Sequence, residues 1–238
     1  MINNSFFSTE ILRWFRENGR DLPWRETRDP YAIWLSEIIL QQTRIVQGWE
    51  YWERFMQTYP KVEDLAAASE DDVLKLWQGL GYYSRARNLH AAAKQIVALG
   101  SFPNTLDGIK SLKGVGDYTA AAIGSFAFDI PAAVVDGNVY RVLSRYFGID
   151  TPINSTQGKK EFAALAQSLL PASDAASYNQ GLMDFGAIQC TPQSPKCLLC
   201  PLAETCEALR SGRVEELPVK NKTVKVKTRH LSYIYIRC

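Results

Sequence analysis

Leu112-Lys113-Gly114-Val115-Gly116-Asp117-Tyr118-Thr119-Ala120-Ala121 is the stretch on which the reading of the fold turns. It sets two glycines between a helix predicted to end near Leu112 and another predicted to start near Asp117. Such a turn lets backbone N–H groups at a helix N-terminus approach a phosphate oxygen with no side chain in the way. The contact would be blind to nucleotide sequence. A Gly-x-Gly turn also ends helices for purely structural reasons, so its meaning depends on what surrounds it.

On both sides apolar residues recur at helical spacing, as in Ile11, Leu12, Trp14, Phe15 and again in Val73, Leu74, Leu76, Trp77. The pattern predicts an all-α protein of roughly ten short helices. Ser8 is placed to precede the first helix, Ser69 with Asp72 forms a capping-box pattern, and Pro103-Asn104, Pro131 and Pro171 punctuate the later helices. With 238 residues, 46% hydrophobic and 22% charged, the chain can bury a core as one large domain or two small ones. A formal charge of +2 neither demands nor excludes a nucleic-acid partner. Met1–Glu10 lacks the pattern of a secretion signal, and no apolar run approaches the ~18 residues of a membrane span, so a soluble, cytoplasmic protein is expected.

Upstream of the hairpin, Ile33-Trp34-Leu35-Ser36-Glu37-Ile38-Ile39-Leu40-Gln41-Gln42-Thr43 carries one acid in an apolar helical segment. Desolvation there raises a carboxyl pKa and leaves Glu37 able to act as a general acid near neutrality. Gln41, Gln42 and Thr43 make the helix end polar and able to reach into a base stack. Downstream, Val134-Val135-Asp136-Gly137-Asn138-Val139-Tyr140-Arg141 opens a new helix on an acid. Alone, Asp136 is a plain N-cap. Joined to the hairpin and to the cysteines below, it is expected at the mouth of a cleft between two helical subdomains.

Of five cysteines, four fall in Cys190-x6-Cys197-x2-Cys200-x5-Cys206, among Pro192, Pro195 and Pro201. Four thiolates at this density suit a [4Fe–4S] cluster or a zinc ion. Zinc ribbons usually show two Cys-x2-Cys pairs, and only one exists here, which favours iron–sulfur. Cys238 is given no role. After Arg213 the composition turns basic and loses helical period, as a linker does, and runs into the β-prone Leu231–Arg237. The first strand of a further domain and a floppy basic tail both remain open there.

These elements together resemble the helix-hairpin-helix DNA glycosylase superfamily, and within it the adenine-excising branch. The resemblance runs from Asp21 to Cys206 through Leu22-Pro-Trp24, Trp34-Leu-Ser-Glu37, Gly79-Leu-Gly-Tyr82-Tyr83-Ser-Arg-Ala-Arg-Asn88, the hairpin, Asp136-Gly-Asn138-Val-x-Arg141 and the cysteine loop. It implies a six-helix subdomain at 29–134 with the helix-hairpin-helix. It also implies an iron–sulfur subdomain from 1–28 plus 135–212, and 213–238 as linker and possible start of an 8-oxoguanine-reading domain. It implies a monofunctional enzyme that hydrolyses the N-glycosidic bond of adenine opposite 8-oxoguanine or guanine, acting as a monomer on double-stranded DNA.

By the same resemblance Glu37 protonates adenine N7 and Asp136 stabilises the oxocarbenium-like sugar, with Asn138 and Tyr118 assisting. Gln42 and Tyr82 fill or wedge the stack once adenine is flipped out, and Trp24 with Arg25 form part of its pocket. Gln41, Thr43, Lys113, Gly114 and Gly116 are counted as DNA contacts, and Cys190, Cys197, Cys200 and Cys206 as cluster ligands. Relatives with lyase activity carry a Schiff-base lysine where Tyr118 stands, and a tyrosine cannot form that imine. Lys113, where proline is usual, leaves room for a trace of lyase activity. A bifunctional oxidised-pyrimidine glycosylase and a non-catalytic DNA-binding iron–sulfur module remain the alternatives.

Overall fold

The computed structural model describes residues 4–171 and 173–221. The β-prone Leu231–Arg237 and the second half of the basic linker, from residue 222, lie outside the described residues. Among the described residues there is no strand, as the apolar spacing predicts. In chain order the helices are α1 (Asn4–Asn18), α2 (Pro30–Ile39), α3 (Ile45–Thr58), α4 (Val62–Ala67), α5 (Glu70–Leu76), α6 (Ser84–Leu99), α7 (Leu106–Lys110), α8 (Asp117–Phe128), α9 (Gly137–Phe147), α10 (Thr156–Leu169), α11 (Ala175–Asp184) and α12 (Glu207–Arg210). Single 3₁₀ turns stand at Pro23–Arg25, Cys197–Leu199 and Ala203–Thr205, and α11 runs on into a π-turn at Phe185–Gln189. No described helix is long and apolar enough to cross a membrane.

The helix that organises the fold is α2. Asp29 caps it by accepting the Tyr31 N–H at 3.0 Å, and Pro30 supplies a helical φ where no donor is needed. Tyr31 through Ile39 are all buried, and a helix apolar on every side belongs at the centre of a core. It packs on α3, α6 and α8, and Trp34, Leu35 and Ile39 are wholly enclosed. Burial of such side chains contributes roughly 1.5–3 kcal/mol each, enough to carry one buried acid in their midst.

The core divides into two clusters. One gathers α2 to α8 around Trp34, Phe55, Trp77 and Leu89. The other joins Phe7, Ile11 and Trp14 of α1 to Val142, Phe162, Tyr178 and Phe185 from α9, α10, α11 and the π-turn. The amide of Asn179 on α11 ties the two together: it accepts the Val134 N–H at 3.1 Å and donates to Ser125 Oγ and Ala132 O, each at 2.9 Å. Ser69 caps α5 as its position predicts, accepting the Asp72 N–H at 3.1 Å. Ser8 does not cap α1. It lies inside that helix, buried, and its hydroxyl donates to the Leu169 carbonyl at 2.6 Å. The helix starts a turn earlier because Phe7 has a place in the second cluster.

Candidate active site

Because α2 is central, Glu37 is only 9% exposed. Burial pushes its carboxyl up from 4.5 to about 7; the Tyr118 hydroxyl donates to it and Arg25 lies near, both opposing the rise, while the charge of Asp136 adds to it. Tyr118 stands in the first turn of α8, which packs directly on α2. Its phenol is raised by burial and by the two neighbouring carboxylates, so it stays a donor.

Asp136 reaches the same place from the other cluster. It caps α9, Oδ1 accepting the Val139 N–H at 2.8 Å, and Oδ2 accepts from the Asn138 amide at 2.7 Å. Burial raises this carboxyl too, but the Val139 and Asn138 donors and the charge of Arg141 resist it. A carboxylate fed by that many donors is the member of the pair best kept as an anion. Asn138 is itself held, its oxygen accepting from Arg141 Nη2 at 2.8 Å.

A cavity of about 70 Å³ opens beside Glu37, lined among others by Trp24, Arg25, Leu40, Gln180 and Met183. Trp24 is buried, edge-on to Trp49 and Trp52. Arg25 lines the cavity with its guanidinium already engaged, forked onto the buried Asp184 at 2.8 and 2.9 Å. Arg20 grips the same carboxylate through its backbone N–H and Nε, both at 2.9 Å. Burial would raise Asp184, but the arginines hold it below the usual carboxylate range. Asp184 thereby fixes the Arg20–Arg25 loop that walls the cavity. The sequence reading passed over it, although Asp184 shows the same signal as Glu37, a lone acid in an apolar helical run.

The remaining predicted residues lie around this centre. Gln42 and Tyr82 are exposed at the ends of two loops, both with left-handed backbone, φ 58° and 46°. Gln41 is half-buried, its amide 3.5 Å from Thr119 Oγ1, and Thr43 donates to the Gln41 carbonyl at 3.4 Å. In the hairpin, Gly114 takes φ 79°, and a Cβ there would meet Asn88 Cβ at 2.8 Å. Gly116, which caps α8, has ordinary extended backbone, and nothing lies within 4 Å of a Cβ placed on it. Lys113 is exposed beside the two glycines, its N–H donating to Gln95 at 2.7 Å.

The cysteines gather at the far end of α9. Cys190, Cys197, Cys200 and Cys206 line a single cavity and form no disulfide. Burial and the neighbouring thiolates push Cys200 up to about 11 and raise Cys197 and Cys206. Thiols raised like these three ionise against a cationic group, which is what an iron–sulfur cluster supplies. Arg145 Nη1 lies 3.5 Å from Cys190 Sγ and donates to the Thr191 carbonyl at 2.7 Å, while Arg141 donates to the carbonyls of Cys190 at 2.8 Å and Gly186 at 2.6 Å. The two stand one turn apart on α9; in the sequence Arg141 belongs to the quoted motif without an assigned role, and Arg145 is not singled out.

Fold and site together define a helix-hairpin-helix protein with a cysteine-bound cluster loop. Residues 35–171 match the HhH-GPD superfamily of base excision DNA repair proteins, and residues 190–206 match the iron–sulfur binding domain of endonuclease III. The chain belongs to the HhH-GPD superfamily. It is 42% identical over 226 residues to the adenine DNA glycosylase of Mus musculus, a match covering 89% of this chain and 44% of that protein. The adenine DNA glycosylase of Buchnera aphidicola from Acyrthosiphon pisum is 39% identical over 218 residues, 90% of this chain and 62% of that protein. The chain thus spans less than two thirds of these relatives. Among solved structures, a thermostable thymine-DNA glycosylase superposes with a TM-score of 0.81 at 34% identity, covering 87% of this chain and 97% of the other. A non-covalent endonuclease III–DNA complex shares the fold, with a TM-score of 0.74 at 23% identity over 89% of this chain and 99% of that one.

Proposed function

We propose that the chain is a monofunctional adenine DNA glycosylase of base-excision repair, a monomer that binds duplex DNA in the cleft between its two helical lobes and removes adenine mispaired with 8-oxoguanine or guanine. The observation that carries this reading is the meeting of Glu37 and Asp136, one from each lobe, across a tyrosine. Glu37, protonated up to about pH 7, gives its proton to N7 of the flipped base as the C1′–N9 bond breaks. Asp136, ionised and oriented by Asn138, stabilises the positive sugar, and water adds at C1′, passing its proton to a carboxylate. Tyr118 orients Glu37 and offers no amine. With tyrosine at the hairpin position where lyase relatives carry their Schiff-base lysine, excision without backbone cleavage is the expected outcome.

Around that chemistry, Trp24 and Arg25 hold the base, Gln42 and Tyr82 occupy the space it leaves, and the N-terminus of α8 with Lys113, Gly114 and Gly116 grips phosphate. Gln41 and Thr43 support the Gln42 loop. The two hydrophobic clusters supply the lobes, divided near residues 28 and 135. Cys190, Cys197, Cys200 and Cys206 ligate a [4Fe–4S] cluster, which fastens the loop that Arg141 and Arg145 tie to α9.

The test is single-turnover cleavage of duplexes carrying adenine opposite 8-oxoguanine, adenine opposite guanine, or thymine opposite guanine, scored with and without hot alkali. Alkali-dependent breaks at adenine are expected. Breaks at thymine alone would reassign the base, breaks without alkali would make the enzyme a lyase, and binding without breaks would make it a non-catalytic module.

A further inference from the structure

The loops bearing Gln42 and Tyr82 are separate in sequence, yet a single guanidinium holds both. Arg85, in the first turn of α6, sends Nη1 to the carbonyls of Ile38 at 3.2 Å and Ile39 at 3.1 Å and to that of Gln41. Its Nη2 donates to the Leu80 carbonyl at 3.2 Å. The first two acceptors are carbonyls of the last turn of α2, the helix that carries Glu37, at its electronegative end; the third, Gln41, lies just past it and also accepts from Thr43. The fourth belongs to the turn Gly79–Tyr82. The guanidinium also lies 5.6 Å from the centre of the Tyr82 ring and 5.2 Å from that of Trp77.

That turn needs an external hold. Gly79, Gly81 and Tyr82 all have positive φ, 102°, 69° and 46°, and a tyrosine in this region is strained. Tyr51 and Trp77 fix its base by donating to the carbonyls of Gln78 at 2.6 Å and Gly81 at 2.9 Å. Only Arg85 among these three also reaches the Gln42 side. We infer that Arg85 is a positioning residue that sets the spacing of Gln42 and Tyr82, so that both enter the duplex together when a base leaves the stack. The inference rests on the wedge role given to those two residues above. A lysine at this site would keep the charge but reach one carbonyl group at a time, since only the planar fork serves two loops at once.

The experiment places 2-aminopurine beside the target adenine and reads base flipping by fluorescence, in a Glu37→Gln background where no bond is cut. Excision rates come from the same substitutions with Glu37 restored. Gln42→Ala and Tyr82→Ala are expected to reduce the flipping signal severalfold. Arg85→Lys is expected to reduce it at least as much and to slow excision roughly 10- to 100-fold, the scale of a 1 Å misplacement. Binding to undamaged duplex should change less than about twofold, and adding Gln42→Ala or Tyr82→Ala to Arg85→Lys should cost little more. Normal flipping in Arg85→Lys, or full additivity, overturns the inference while leaving the wedges standing. Normal flipping in Gln42→Ala and Tyr82→Ala sinks both. Hydrogen exchange on the unaltered chain gives a check that no variant can spoil: amides of 40–43 and 79–82 should open with one common free energy, and two distinct energies overturn a single clamp.

Discussion

The α2 side of the molecule and the start of α9 each carry one buried carboxylic acid near Tyr118, and they surround it differently. The α2 lobe surrounds Glu37 with apolar side chains and gives it one hydroxyl donor, so its carboxyl rises to about 7. The second lobe meets the same desolvation at Asp136 with a helix N-terminus, an amide and an arginine. Identical functional groups thereby meet different surroundings: both carboxyls are raised by burial, Glu37 against little opposition and Asp136 against several donors and an arginine. The protonation state is set by what each lobe packs around its acid, and only secondarily by the acids themselves.

The largest expected effect comes from removing either member of that pair. Glu37→Gln and Asp136→Asn should each lower the single-turnover excision rate by about 10³-fold or more, with duplex binding retained. Combining them should cost far less than the product, because both serve one transition state. A double variant that loses the full product would show that the two acids act independently, and the division of labour would be wrong.

Tyr118→Phe sharpens the contrast more gently. The hydroxyl donates to Glu37 and lowers its pKa, so removing it should raise that pKa further. The excision rate of the unaltered chain should fall as pH climbs through about 7, where Glu37 loses its proton. In Tyr118→Phe the falling limb should move to higher pH, with a rate loss of roughly tenfold below it. In Asp136→Asn, measured on whatever activity remains, the limb should move to lower pH, since one negative neighbour is gone. A limb that stays put in both variants would mean another group is the acid.

Much of this arrangement could be read before any coordinates, and the reason is physical. Glu37 sits in a run so apolar that only a buried helix can contain it, and Asp136 follows an extended apolar segment at a helix start, so both environments are written in near neighbours. The four cysteines lie within seventeen residues of each other. What stayed hidden depends on contacts far along the chain. Asp184 meets Arg20 and Arg25 across 164 and 159 residues, and Arg85 meets Ile38 across 47, so no local pattern announces those partners. Ser8 misled for the same reason: its hydroxyl answers a carbonyl 161 residues away, and Phe7 draws the helix start past it.

A smaller effect follows from the cost of keeping Glu37 where it is. A carboxyl raised from 4.5 to about 7 on folding is bound to its proton more tightly in the folded state. Its penalty is absent below about pH 4.5, grows as pH rises, and is complete above about 7, where it reaches about 3 kcal/mol. Glu37→Gln should therefore raise Tm by several degrees at pH 8 and by little or nothing at pH 5. At Asp136 the donors offset part of the desolvation and an asparagine keeps the N-cap acceptor, so Asp136→Asn should change Tm at pH 8 by less than Glu37→Gln does. Equal behaviour of the two amide variants in calorimetry at both pH values would remove the distinction drawn between the lobes.

The smallest effect concerns the proposed grip on DNA, in which the hairpin would contribute backbone in place of side chains. Gly114 and Gly116 look equivalent in the sequence and differ in the fold. At Gly114 an alanine would be strained at φ 79° and would press on Asn88, so Gly114→Ala should lower stability by about 1–3 kcal/mol. At Gly116 the backbone is extended and nothing lies within 4 Å of an added Cβ, so Gly116→Ala should leave Tm unchanged. Its methyl would nevertheless stand at the N-terminus of α8, where a phosphate oxygen has to come close. Affinity should then fall severalfold for mispaired and undamaged duplex alike, with no change in the rate of excision once bound. A loss confined to mispaired DNA would place Gly116 with the base-handling residues, and no loss at all would move the phosphate contact off this helix.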